Sequence, residues 1–110
     1  MARFYAVHTE LLRLAVTHRW PLLIKYKDSQ TTRLILPHRF GTLNKNGKHT
    51  ICAYQVAGNS KSTGGKIAEG WRLFEQRRIT SVAVLDSQSF TPRGEHSKTD
   101  QRFERIIAEV

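Results

Sequence analysis

Apolar residues near the start of the chain recur at steps of three and four positions, a spacing that favours an amphipathic helix. The positions concerned are Phe4, Val7, Leu11, Leu14 and Ala15. Pro21 disfavours helical geometry at Trp20, the residue before it. The helix is therefore predicted to run from Phe4 to about Arg19.

The pattern then changes to short stretches in which apolar and polar residues alternate, which is typical of β-strands. Five strands are predicted, at residues 22–27, 31–37, 48–56, 71–74 and 79–85. Between the second and the third, residues 44–47 are Asn-Lys-Asn-Gly, which predicts a hairpin because Asn and Gly tolerate positive φ. Residues 58–66 are too polar and too rich in glycine to pack, so they are predicted to form a mobile loop.

The composition changes again after Phe90. Residues 91–98 are predicted to be a linker, and Thr99 or Asp100 could cap a final helix over residues 99–110. The apolar stripe of that helix would consist of Phe103, Ile106, Ile107 and Val110.

A helix, four or five short strands and a closing helix predict an α+β fold that is mainly β. We expect a small, strongly bent antiparallel sheet or a partly open barrel, with one N-terminal and one C-terminal helix. A chain of 110 residues with 39% apolar content has room for one core. Cys52 is the sole cysteine, which excludes a disulfide within the chain. Without an apolar leader or a stretch long enough to span a bilayer, a cytoplasmic location is expected.

The charge is strongly unbalanced. Eighteen Lys and Arg stand against nine Asp and Glu, which gives a formal net charge of +9 and a pI near 10.3. Such a field attracts polyanions, although surplus lysines can also serve solubility alone. The positions of the arginines therefore matter more than their number.

The sequence offers little for catalysis. Its five histidines are scattered over predicted helix, strand and linker, and they form no close-spaced metal pair. Its carboxylates fall in turns, in linkers or on polar helix faces, so none is paired for acid–base chemistry. A non-enzymatic protein without catalytic residues, metal or cofactor is expected.

Several arginines, in contrast, lie among large apolar residues in predicted strands or at strand ends. A guanidinium in such a place usually meets a carboxylate, a carbonyl or an anionic ligand. Together with an aromatic stacking surface they suit phosphates and bases. The candidate ligand-binding residues are Arg33, Arg39, Tyr54, Arg72, Arg77 and Arg78. The alternative is that Arg72 and Arg78 form structural salt bridges with Glu69, Glu75 or Asp86.

The chain resembles the WYL domain of bacterial transcription regulators and defence-linked proteins over about residues 5–90. The matching segments follow that family's order: Lys25-Tyr26, Arg33 to Pro37, Asn46-Gly47-Lys48, Arg72-Leu73-Phe74 and Arg78-Ile79. Where the family has its Trp-Tyr-Leu tripeptide, this chain has His49-Thr50-Ile51. Residues 1–90 are accordingly predicted to form one WYL-like domain, with Arg33, Arg72 and Arg78 at matching positions.

The resemblance implies an Sm-like β-barrel that serves as a ligand sensor, commonly fused to a winged-helix DNA-binding domain. The ligands of that family are thought to be nucleic acids or nucleotide-like molecules. For this chain we therefore expect a regulatory module that binds single-stranded nucleic acid or a nucleotide on a basic face. The alternative is a protein-interaction module, in which the two helices and an open sheet edge mediate homodimerisation or docking on a larger regulatory protein.

Overall fold

Six antiparallel strands and one α-helix form the described part of the protein, which in the computed structural model comprises residues 4–27, 31–57, 69–96 and 101–110. The elements are α1 (Thr9–His18), β1 (Leu22–Tyr26), β2 (Thr32–Leu43), β3 (His49–Ala57), β4 (Gly70–Glu75), β5 (Ile79–Val84) and β6 (Phe103–Glu109). A single 3-10 turn, Gln76–Arg78, joins β4 to β5. The predicted mainly β architecture with an antiparallel sheet is confirmed. Within the described residues, no helix has the length and apolar character that crossing a membrane would require.

The strands are ordered β4-β3-β2-β1-β5, and β6 is an additional neighbour of β2. The long strand β2 pairs with β3 along one side. Along its other side it pairs first with β1, over residues 32–35, and then with β6, over residues 39–43. Pro37 lies in the gap between these two partners, and on its other side it pairs with Ala53 of β3. The strand continues past Pro37 to Leu43 instead of ending there as predicted.

The connection between β4 and β5 requires the sheet to curl. In the strand order these two strands are at opposite ends, and a flat sheet would separate them by about 19 Å at ~4.8 Å per strand. The 3-10 turn that joins them advances only about 8 Å at ~2 Å per residue. Contacts close this end: the Tyr26 and Phe74 rings meet edge to face at 5.0 Å, and the Glu75 N–H donates to the Tyr26 hydroxyl at 3.1 Å.

Helix α1 packs one face on the sheet through Leu12, Ala15 and Val16, which are fully buried in the main core. It ends as predicted, with Arg19 in the left-handed region at φ 58°. It begins at Thr9, however, because Tyr5 exchanges two backbone hydrogen bonds with Val82 of β5, at 2.7 and 3.0 Å. The predicted helix start at Phe4 is therefore wrong.

The hairpin at residues 44–47 is confirmed: Gly47 has φ 68°, and its N–H donates to the Leu43 carbonyl at 2.8 Å. The predicted mobile loop at residues 58–66 lies outside the described residues.

The predicted C-terminal helix is wrong over residues 103–109, which form β6 instead. Its pairing with β2 contains two register shifts, one between Phe40 and Gly41 and one between Thr42 and Leu43. Each shift skips a residue of β6, so its side chains lose the strict alternation of a regular strand. Before it, described residues 91–96 have no regular secondary structure, but they pack on β2, since the Arg93 N–H donates to His38 Nε2 at 3.0 Å.

Candidate anion-binding site

Arg33, near the start of β2, points into the curled end of the sheet. Its guanidinium carbon lies 5.7 Å from the centre of the Tyr26 ring and 5.8 Å from that of Phe74. One of its terminal nitrogens, Nη1, donates to Oε1 of the fully buried Gln55 at 3.2 Å. The side chain is thus half-buried between two aromatic rings and an amide.

The positive charge of Arg33 is poorly compensated. Burial lowers the pKa of its guanidinium, and the nearby charge of Arg72 lowers the pKa further, while Tyr26 acts in the opposite direction. Its Nε is buried and has no hydrogen-bond partner among the described residues. A buried, unsatisfied N–H on a charged group costs free energy unless an acceptor reaches it. An anion bound here would accept a hydrogen bond from Nε and compensate the charge of Arg33.

Arg72 supplies the second guanidinium. It lies on β4 opposite Ala53 of β3, and its Nη1 donates to the carbonyl of Trp71 at 3.2 Å. Neither Arg33 nor Arg72 forms an ion pair with a carboxylate in the described parts of the chain. The salt bridge considered for Arg72 from the sequence is therefore absent there, and the two like charges remain close together. We call Arg33 and Arg72 the arginine pair.

Arg77 and Arg78 lie at the adjoining corner between β4 and β5. Both are exposed and share the Glu75 carboxylate, with Nε to Oε2 distances of 3.4 Å for Arg77 and 3.1 Å for Arg78. Desolvation alone would raise the pKa of Glu75, but Lys48, Arg78 and Arg77 together lower it. The salt-bridge alternative thus describes Arg78, although exposed pairs of this kind are weak and exchange readily.

Arg39 belongs to a different cluster, about 20 Å along β2 from Arg33 at ~3.3 Å per residue. Its side chain is 1% exposed, and its Nε donates to Oε2 of Glu109 at 2.7 Å, with a second bond from Nη2 to the same oxygen. Its guanidinium carbon lies 5.5 Å from the centre of the Phe103 ring. Arg39 therefore forms an ion pair with β6 and does not lie with the arginine pair.

Tyr54 is also occupied. The guanidinium of Arg93 stacks on its ring, with the guanidinium carbon 3.7 Å from the ring centre, and the Trp71 ring meets it edge to face at 5.6 Å. Its hydroxyl donates to Glu69 Oε2 at 3.4 Å. A base that stacks on the face of Tyr54 covered by Arg93 would have to displace Arg93.

The contacts of Gln55 and Arg93 were not predicted from the sequence. A sequence signal exists for Gln55, since it is a polar residue inside the apolar run of β3, which suggests a buried polar partner. The sequence holds no signal for Arg93, because its contact with Tyr54 joins residues far apart in the chain.

Comparisons of the chain with protein-family models, with curated proteins and with solved structures find no match in any of the three. The resemblance to the WYL domain therefore has no support beyond the sequence segments quoted above.

Proposed function

We propose that this protein is a non-enzymatic binding module that holds a phosphate-bearing ligand, single-stranded nucleic acid or a nucleotide, at the arginine pair. One observation carries the proposal: two neighbouring guanidinium groups, one of them half-buried, face no carboxylate among the described residues. Proteins rarely tolerate such an arrangement unless an anion completes it.

The surroundings suit a phosphate attached to something larger. A guanidinium matches two phosphate oxygens with two parallel N–H groups. Beyond the adjoining corner, a shallow pocket of about 310 Å³ is lined by Thr9, Lys48, His49, Gln76 and Arg77. Lys48 and Arg77 in this pocket are further cationic side chains for the backbone of a ligand with several phosphates. The net charge of +9 supports the same class of ligand.

The finer assignment is also proposed here. The curled five-strand path after an N-terminal helix is compatible with an Sm-like barrel, and the WYL resemblance would make the chain a ligand-sensing regulatory module of transcription or defence. The substitution of His49-Thr50-Ile51 for the Trp-Tyr-Leu tripeptide falls on β3, whereas the arginine pair lies on β2 and β4. The proposal therefore relies on the pair and not on the tripeptide.

Replacing Arg72 or Arg33 with Gln tests the assignment. Each variant deletes the charge and the bidentate donor, so affinity for a fluorescein-labelled thymidine oligonucleotide should fall by about 1–3 kcal/mol, roughly 5- to 150-fold, in fluorescence anisotropy. Arg105→Gln is the matched control: it removes the same charge from an exposed position on β6 and should weaken binding far less.

Thermal stability distinguishes this role from a structural one. Because Arg33 has no carboxylate partner in the described residues, Arg33→Gln relieves a desolvation cost and should leave the Tm unchanged or raise it. Early unfolding of both variants with normal binding of the folded fraction would refute the anion site.

A protein-interaction role is favoured by one feature, the outer edge of β6. Within the described chain β6 pairs with β2 alone, and its Ile106 is 45% exposed. An unpaired strand edge with an apolar side chain is a template for strand addition. Under this alternative Ile106→Lys would abolish self-association in sedimentation velocity, while oligonucleotide binding by Arg72→Gln would match that of the wild type.

A further inference from the structure

Residues 91–96 pack on the sheet without regular secondary structure of their own, and two histidine contacts attach them to it. The backbone N–H of Arg93 donates to Nε2 of His38 on β2 at 3.0 Å. Three residues later, Nε2 of His96 contacts Oε2 of Glu109 on β6 at 3.1 Å. We call residues 91–96 the strap.

The strap covers aromatic residues of β3 and β4. The guanidinium carbon of Arg93 lies 3.7 Å from the centre of the Tyr54 ring. The His96 ring lies against that of Trp71, with 5.9 Å between the ring centres and 31° between the ring planes. Tyr54 and Trp71 are only half-buried with the strap in place, so its departure would open their rings to solvent.

His38 can hold the strap only while its ring is neutral. Its Nδ1 donates to the Leu36 carbonyl at 2.8 Å, so Nε2 has the lone pair that accepts the Arg93 N–H. Protonation would add an N–H at Nε2 that points at the Arg93 N–H. Two donors that face each other form no hydrogen bond, so this attachment would be lost.

A protonated His38 would also be poorly compensated. The side chain is fully buried, which disfavours the charged form, and the charges of His96 and Arg93 disfavour it further. The opposing influences are the Leu36 carbonyl and the carboxylate of Glu95, which also accepts a hydrogen bond from Arg93 Nε. Protonation therefore places a new positive charge against Arg93.

The other end of the strap responds to acid in the opposite way. His96 faces the carboxylate of Glu109, which is also paired with Arg39. An imidazole N–H can donate to this carboxylate whether the ring is neutral or charged, and the charge strengthens the bond. Acid thus weakens the attachment at Arg93 and preserves the one at His96.

We propose that His38 is a proton-operated latch, which releases Arg93 in acid and lifts the strap from Tyr54 while His96 keeps the strap tethered to β6. Because burial and the neighbouring charges lower the pKa of His38 from its ordinary 6.5, release is expected below that pH. The latch controls access to the Tyr54 ring, and it does not depend on the arginine pair.

Side-chain NMR spectra of Arg93 over a pH series test the latch. Protons stacked on an aromatic face resonate upfield, so the Arg93 Hδ signals should start upfield and move to their free positions between about pH 7.5 and 5. Nuclear Overhauser contacts between Arg93 and Tyr54 should vanish over the same range. The backbone signals of β2 and β3 should keep their folded positions.

Three variants assign the effect to particular residues. His38→Gln does not titrate, and its side-chain oxygen can accept the Arg93 N–H, so the Arg93 signals should stay upfield throughout the series. His96→Gln removes a charge that opposes protonation of His38 and weakens the tether, so release should begin at a higher pH. His18→Gln, at an exposed position of α1, should behave like the wild type.

Arg93 signals that stay upfield until the sheet unfolds, or that move only together with the signals of β2 and β3, would overturn the proposal. So would a wild-type pH response in His38→Gln. Since the wild-type series and His96→Gln are each informative alone, the test remains decisive even if His38→Gln does not fold.

Discussion

Arg33 and Arg39 lie on the same strand, and both are withdrawn from water, yet their partners give them different roles. Arg39 meets the carboxylate of Glu109, whereas Arg33 meets the neutral amide of Gln55. A buried cation paired with a carboxylate has its charge compensated within the fold, while the charge of a cation whose partner is a neutral amide is left for an incoming anion to compensate. Both were equal candidates in the sequence, because residue type and strand position do not reveal partners distant in the chain.

Arg39→Gln should destabilise the fold by up to about 3–5 kcal/mol, because the carboxylate of Glu109, which is only 23% exposed, then keeps only the contact with His96 Nε2 at 3.1 Å among its described partners. Urea unfolding measures the loss. The double variant Arg39→Gln/Glu109→Gln should recover part of the lost stability, since neither charge of the ion pair then remains. Oligonucleotide affinity of the folded fraction should be unchanged. A stable Arg39→Gln protein with weakened binding would instead make Arg39 part of the ligand site.

His38 is fully buried and held in one tautomer. Its Nδ1 donates to the Leu36 carbonyl at 2.8 Å, and its Nε2 accepts the Arg93 N–H at 3.0 Å. Burial lowers the pKa of His38 from its ordinary 6.5, as do the charges of His96 and Arg93, while the Leu36 bond and Glu95 act in the opposite direction. The rings of Trp71 and Phe90 complete its surroundings.

The lowered pKa makes stability depend on pH. Below about pH 6.5 the unfolded chain binds a proton that folded His38 still excludes, so the contribution of His38 to stability is complete above that pH and declines as the pH falls. His38→Gln should flatten the decline of the urea midpoint between about pH 7 and 5. The exposed His18→Gln serves as control and should retain it. Equal slopes in both variants would contradict this account.

Among the helix and strands, the features that neighbouring residues determine were predicted correctly, and those that depend on distant residues were not. The hairpin at residues 44–47 was predicted because two turn residues and their neighbours determine it, and the helix end near Arg19 because Pro21 enforces it. The start of α1 and the character of β6 depend on tertiary partners, namely Val82 and β2. Residues 99–110 have a helical spacing of apolar residues, but β6 buries only part of that set: Phe103 is buried, whereas Ile106 is 45% exposed.

Close contact between β2 and β6 can be tested at Gly41. A Cβ there would overlap the carbonyl oxygen of Arg105 and approach its carbonyl carbon to 3.0 Å, and both atoms belong to backbone that cannot rotate away. Gly41→Ala should therefore cost at least about 2 kcal/mol in urea unfolding and speed amide exchange in β6. Gly94→Ala, whose Cβ would meet nothing within 4 Å, should be nearly neutral. Equal stability of the two variants would argue against strand pairing at β6.

In the whole molecule, the curl of the sheet brings residues that are far apart in the sequence together at the proposed anion site. Arg33, Tyr26 and Phe74 come from three different strands, and they meet because the short link between β4 and β5 draws the edges of the sheet together. The sequence predicts a bent sheet and singles out six candidate residues. The division of these six into the arginine pair, the Glu75 corner, the Arg39 ion pair and a covered Tyr54 depends on contacts across the sheet, so it could not be predicted from the sequence.

A site as small as the arginine pair and its adjoining corner can contact only some of the phosphates that a net charge of +9 would attract. A single strand following the arginine pair and the corner with Arg77 should contact roughly three to six phosphates, so the logarithm of affinity should fall with the logarithm of salt concentration with a slope of about −2 to −4. Anisotropy with the thymidine oligonucleotide over a salt series measures it. Arg72→Gln should reduce the slope by about one phosphate contact, ~0.7, whereas Arg105→Gln should leave it unchanged. Affinity that is absent at low salt, or that does not respond to salt, would remove nucleic acid as the ligand and leave the unpaired edge of β6 as the better guide to function.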